Sequence, residues 1–106
     1  MMRPFGAFSV PADHACLPGH FPGSPIVPGA LLLDRITGLV LRHHPGFNLT
    51  AVTQARFLQP VLPDQMVRVA AASSSTVPGT MLRVTFSGEV AGTLVVKGSL
   101  DLRAAA

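Results

Sequence analysis

Two periods divide the chain. Between residues 29 and 44 the apolar side chains Leu31, Leu32, Leu33, Ile36, Leu39, Val40 and Leu41 recur on helical spacing with no proline among them. From residue 49 onward apolar and polar positions alternate instead, which is the period of a strand. The first segment reads as one helix of about four turns, opened after Pro28, whose fixed φ suits a helix start, and closed by Pro45-Gly46. It is apolar almost all round until Arg42, His43 and His44, so most of its circumference is expected to be wrapped by other structure.

The strand period resolves into segments 49–58, 65–73, 80–90 and 92–103, the last two set off by the turns Pro78-Gly79 and Ala91-Gly92. In the final segment Leu94, Val96, Leu100 and Leu102 share one face, with Lys97, Ser99, Asp101 and Arg103 on the other. Ser73-Ser74-Ser75-Thr76 reads as a polar turn between strands. Upstream, prolines at 4, 11, 18, 22, 25 and 28 leave room for one short strand over 5–10, followed by an ordered loop. The prediction is a single α+β domain over residues 1–106, an antiparallel sheet curled around one central helix.

Composition sharpens this picture. A chain of 106 residues has room for one core, yet 48% of it is hydrophobic and its mean hydropathy is +0.46, more apolar surface than a small core consumes. Oligomerisation is the expected outlet. The lone Cys16 cannot form an internal disulfide and residues 1–10 carry no apolar leader, so a cytoplasmic location is expected. The longest apolar stretch, 26–41, is broken by Pro28, Asp34 and Arg35 and falls short of a membrane span. Net charge is +3, but the eight Lys and Arg are dispersed and neither Tyr nor Trp is present, which argues against nucleic acid. A scattered basic surface suits weak steering of an acidic protein or a phosphorylated ligand.

Burying a polar residue is costly unless it is paired or used, so two positions draw interest. His20 sits within Leu17-Pro18-Gly19-His20-Phe21-Pro22-Gly23-Ser24-Pro25-Ile26-Val27-Pro28-Gly29, where proline and glycine lock the backbone around the imidazole. Asp34 interrupts the apolar run Leu31-Leu32-Leu33-Asp34-Arg35-Ile36. Together they can serve as a base and an acid near neutral pH. They can equally be a core histidine and an aspartate paired with Arg35, and the residues alone leave both readings open. The remaining polar residues have plainer readings. Asp13, His14, Cys16 and His20 lack a second Cys/His pair at zinc spacing, so no metal is expected there. His43 and His44 suit a helix C-terminus, and Cys16 reads as a small packing residue.

The string from His20 to Gly29, followed by Leu31-Leu32-Leu33 and an acid fourteen positions after the histidine, resembles the 3-hydroxyacyl-acyl-carrier-protein dehydratases of the FabA/FabZ type. A second likeness lies at Ala55-Arg56-Phe57-Leu58-Gln59-Pro60-Val61-Leu62-Pro63-Asp64-Gln65. The resemblance implies a hotdog fold, protomers paired edge to edge into a homodimer or a higher assembly of dimers, and active sites shared at the interface. His20 would then face Asp34 of the partner subunit. It further implies dehydration of (R)-3-hydroxyacyl thioesters on acyl carrier protein to trans-2-enoyl thioesters, in fatty-acid or polyene/polyketide-like biosynthesis. In that scheme His20 is the base, Asp34 the acid, and Gly29, with Ala30 and Phe21, binds substrate, the Gly29 N–H holding the thioester carbonyl. The carrier presents its acyl chain on a phosphopantetheine arm, and no metal or other cofactor is required. Two features depart from the family pattern. The acid is aspartate, as in FabA-type members, although the loop is more FabZ-like, and Gly38 stands where a glutamine one helical turn after the acid is common. Two other functions fit the same fold: an acyl thioesterase, or a catalytically weak acyl-binding partner subunit of a dehydratase.

Overall fold

A computed structural model describes residues 2–13 and 26–105. The predicted site residues His20 and Phe21, together with His14 and Cys16, lie outside the described residues. The element order is β1 (Arg3–Phe8), α1 (Gly29–Arg42), β2 (Phe47–Phe57), β3 (Val67–Val77), β4 (Met81–Val90) and β5 (Thr93–Ala104). All five strands join one antiparallel sheet in the order β1-β3-β4-β5-β2, so the helix interrupts the chain between the two edge strands.

The turns follow from backbone chemistry. Val90 pairs with Thr93 across the two-residue loop Ala91-Gly92, whose φ values of +50° and +82° match the twist of the flanking strands. Glycine adopts this conformation freely, whereas alanine does so at a cost. Pro78-Gly79 turns β3 into β4, with the Thr80 amide donating to the Val77 carbonyl at 3.0 Å.

The core forms where one stripe of the helix meets the inner face of the sheet. Leu32, Ile36 and Val40, spaced by four, are buried with Val67, Val69 and Ala71 of β3, Val84 and Phe86 of β4, and Val96, Leu100 and Leu102 of β5. Gly98 of β5 admits the ring of Phe86. A Cβ there would stand 2.8 Å from Phe86 Cζ and would collide with the Gln54 carbonyl on β2.

Two expectations are corrected. Ser73-Ser74-Ser75-Thr76 is not a turn but strand, paired with β4 through Ser73 opposite Val84 and Ser74 opposite Arg83. Its exposure, rather than any turn geometry, explains its polar composition. The helix is also less enclosed than its composition implied. Only the Leu32–Ile36–Val40 stripe is buried, while Leu31, Leu33, Leu39 and Leu41 are half-buried, because a single sheet covers a single side.

Candidate functional site

The sequence holds the start of α1 rigidly. Pro28 is the N-cap with φ −59° and ψ 142°, and its carbonyl accepts from the Leu31 and Leu32 amides at 3.1 and 3.2 Å. No capping side chain is present. The Gly29 and Ala30 amides therefore have no backbone acceptor among the described residues, and these two donors stand at the positive end of the helix dipole. One residue upstream, the Val27 amide donates to the Val61 carbonyl at 2.8 Å, tying the helix entry to the segment that follows β2.

Between these segments lies an apolar hollow of about 470 Å³, lined by Val27, Pro28, Gly29, Leu32, Phe57 and Val61 among others, with Gln59 its polar side chain. Phe57 is the residue that sequence reading missed. It sits at the end of β2 opposite the fully buried Val96, yet it is 48% exposed. Its ring end lies against Gly29, where an added Cβ would stand 2.9 Å from Cζ and 3.1 Å from each Cε atom. Glycine at 29 thus has a packing reason beyond exposing the amide. The two residues are 28 positions apart in the chain, so no local pattern connects them.

Asp34 lies on the helix face turned away from the buried stripe, and it is exposed in the protomer, as is Ala30. The enclosure expected for an aspartate in an apolar run is therefore not met within one chain. Nor is the pair with Arg35 formed. Among the described residues the ion pair is Arg83–Asp101, at 2.8 Å across β4 and β5. Hydrogen bonding from Arg83 holds the Asp101 carboxyl below its ordinary range, and the same bond raises the guanidinium. Gly38, one turn beyond Asp34, has open space around it, since an added Cβ would meet nothing within 4 Å.

His43 and His44 finish the helix. Their Nδ1 atoms lie 3.0 Å from the Leu39 carbonyl and 2.9 Å from the Val40 carbonyl. A carbonyl can only accept, so each Nδ1 carries the proton and each ring donates to a carbonyl of the last helical turn, that of Val40 also accepting from the His43 amide. His43 also stacks on Phe5 of β1, with ring centroids 4.1 Å apart. Both histidines thus have structural roles. Among the described residues no group of three or more His, Cys, Asp or Glu is arranged to hold a metal, and no helix is long and apolar enough to cross a membrane.

Known structures share this architecture. The (R)-hydratase from A. caviae involved in PHA biosynthesis superimposes with a TM-score of 0.78 at 18% identity, over 98% of this chain and 94% of that one. The dehydratase heterocomplex ApeI:P from Xenorhabdus doucetiae gives 0.72 at 16% identity, over 92% and 83%. These likenesses define the fold as a hotdog, the α+β class expected from the sequence. The family is fixed by sequence: residues 5–98 match the ApeI-like family model, described as ApeI dehydratase, and the chain belongs to that family. It is also 37% identical over 68 residues to the 3-hydroxyacyl-[acyl-carrier-protein] dehydratase FabZ of Haemophilus influenzae, covering 55% of this chain and 46% of that protein. The chain thus spans about half the length of the curated relatives it matches.

Proposed function

We propose that the protein eliminates water from (R)-3-hydroxyacyl thioesters carried on acyl carrier protein, giving trans-2-enoyl thioesters. The observation that carries this reading is the apolar hollow at the start of α1, lined in part by Gly29, whose amide has no backbone acceptor among the described residues. An acyl chain needs the hollow, and the thioester carbonyl needs a donor. Negative charge builds on the carbonyl oxygen as the C2 proton leaves, and an amide at a helix start is suited to hold it. His20 takes that proton as general base. The C2–H electrons form the C2=C3 bond as the C3–O bond breaks, and Asp34 supplies the proton with which the hydroxyl departs as water. Transfer from the imidazolium back to the carboxylate, through solvent, resets the pair.

The exposure of Asp34 fits a site shared between protomers. The edge strand β2 presents Leu49, Val52 and Phe57 to solvent, and Leu58, Leu62 and Met66 continue this apolar border. Pairing two such edges would cover this surface in a homodimer and bring Asp34 into the neighbourhood of His20 of the partner subunit. In this reading residues 1–106 form one domain acting in the cytoplasm, with carrier-bound acyl groups arriving from fatty-acid or polyene/polyketide-like synthesis.

One observation favours a second reading. Gly38 offers no amide to orient the Asp34 carboxyl, which suits a weakly catalytic acyl-binding subunit working beside a fuller dehydratase. Mass spectrometry of a 3-hydroxyacyl carrier protein incubated with the purified protein separates the possibilities. Loss of one water from the carrier-bound chain supports the dehydratase. Binding without turnover supports the partner subunit, and release of free acid would mean a thioesterase.

A further inference from the structure

A second hollow, of about 490 Å³, lies where the last turn of α1 meets the start of β1 and the middle of β3. It is at the opposite end of α1 from the candidate site, about 20 Å away for a helix of 14 residues. Arg3, Phe5, His43, His44 and Ser73 are among the residues that line it. Ser73 follows the buried inner-face positions Val67, Val69 and Ala71 of β3 but is itself exposed. Arg3 stands opposite Ala71, on the same side of the sheet, and is exposed. Among the described residues it joins no ion pair, and no carboxylate lines the hollow. The Nδ1 atoms of both histidines are committed to helix carbonyls, and the Phe5 stack fixes the His43 ring. The two nitrogens of an imidazole point in nearly opposite directions, so each Nε2 is turned away from the carbonyl its ring bonds.

From this arrangement we infer a separate binding site, for a phosphate-type dianion, that fills as His43 and His44 take up protons. Neutral, each ring offers only the Nε2 lone pair, which accepts and cannot hold an anion. Protonated, each offers an N–H, and the Arg3 guanidinium adds a planar fork suited to two phosphate oxygens. The negative end of the helix dipole favours imidazolium at this position. The carbonyls that would repel an anion are already bonded: Leu39 by the His43 ring, Val40 by the His44 ring and the His43 amide, and Leu41 by the His44 amide. No neighbouring element opposes this charge. β3 contributes Ala71, Ala72 and Ser73, β2 meets His44 with the Phe47 ring, and Arg42 on the same helical turn is again a cation. The inference is independent of the acyl-thioester reading, since it uses none of the residues assigned to that chemistry.

The test titrates the full chain with sulfate, inorganic phosphate and phenyl phosphate, followed by calorimetry and by the imidazole Cε1–H resonances of His43 and His44. Sulfate stays a dianion throughout, so its pH dependence reports the protein alone. Its binding should saturate near about pH 6, weaken roughly tenfold or more by about pH 8, and raise the pKa of both histidines. Arg3→Gln should weaken binding roughly tenfold at either pH. His43→Gln combined with His44→Gln should abolish the pH dependence. Circular dichroism matching the wild type establishes that each variant is folded, and Arg3→Gln, an exposed substitution, serves should the double histidine variant fail this check. Tighter binding of phenyl phosphate than of inorganic phosphate assigns the site to an organic monoester and equal binding to the free ion, and either supports the site. Absence of saturable binding overturns the inference, as does binding that Arg3→Gln leaves unchanged or that is equally tight at both pH values.

Discussion

Replacing Gly29 with alanine separates packing from chemistry. The added methyl would stand 2.9 Å from Phe57 Cζ and 3.1 Å from both Cε atoms, closer than carbon atoms normally approach. The obstruction is the far end of a half-exposed side chain, so the ring can turn aside. Alanine also gains helix propensity over glycine, up to about 1 kcal/mol in a helix interior and less in the first turn. These effects oppose each other, and stability should stay within about 1 kcal/mol of the wild type, a shift of only a few degrees in Tm. Gly98→Ala provides the contrast. There the new Cβ meets Phe86 Cζ at 2.8 Å and the backbone carbonyl of Gln54, neither of which can yield within a sheet, so a loss of about 3 kcal/mol or more is expected. Activity should order the two differently. In Gly29→Ala the methyl and the displaced ring crowd the approach of the thioester carbonyl to the amide, and losing one such donor costs roughly a hundredfold in kcat. Thermal unfolding paired with the rate of enoyl-thioester formation from a 3-hydroxyacyl carrier protein reads both quantities. A Gly29→Ala protein with an unchanged melting point and unchanged turnover would refute the role assigned to this amide.

Three further outcomes follow from the geometry. Ala91, with φ +50° in the β4–β5 turn, carries the strain of a left-handed alanine, so Ala91→Asn should stabilise by about 0.5–1 kcal/mol and raise Tm by a few degrees, read by calorimetry. The Asp101 carboxyl is held below its ordinary value mainly by its hydrogen bond from Arg83, so the pair stabilises above the ordinary carboxylate range and that contribution is lost as pH falls through the lowered value. Arg83→Gln should return Asp101 to its ordinary titration and remove this part of the acid sensitivity, seen by carboxyl-carbon NMR and denaturant midpoints across the acid range. A Cβ at position 38 meets nothing within 4 Å, and Gly38→Gln should stabilise the helix by about 0.5–1 kcal/mol. It should also raise turnover if the absent amide limits Asp34, measured against the wild type on the same substrate.

Much of the fold was readable because its signals are local. Pro28 and Pro45-Gly46 bracket the helix to within two residues of its observed end at Arg42, and Ala91-Gly92 fixes the last hairpin. The misreadings share a cause: composition reports solvation, not geometry. Ser73-Ser74-Ser75-Thr76 is polar because that part of β3 is exposed, and a polar run resembles a turn when burial is unknown. The helix is rich in leucine, yet only three residues on one stripe are buried, and its other apolar side chains lie half-buried against the edge of that core. The same reasoning bears on the site. Its proposed chemistry is read from the order of residues from His20 to Asp34, because a loop motif is written consecutively. The packing of Phe57 on Gly29, and of Phe86 against Gly98, joins residues on different elements and leaves no local trace.

The central claim is that two groups from two chains eliminate water together, and complementation tests it most directly. His20→Ala and Asp34→Asn chains should each be folded and reduced in turnover by roughly two orders of magnitude, since each lacks one proton-transfer partner. Co-expressed in equal amounts they should form mixed dimers in which one of the two sites again holds both groups. With random pairing, about a quarter of wild-type sites are restored, and enoyl-carrier-protein formation should recover to that level. Confirmed mixed dimers that remain as inactive as either parent would contradict a shared dehydratase site.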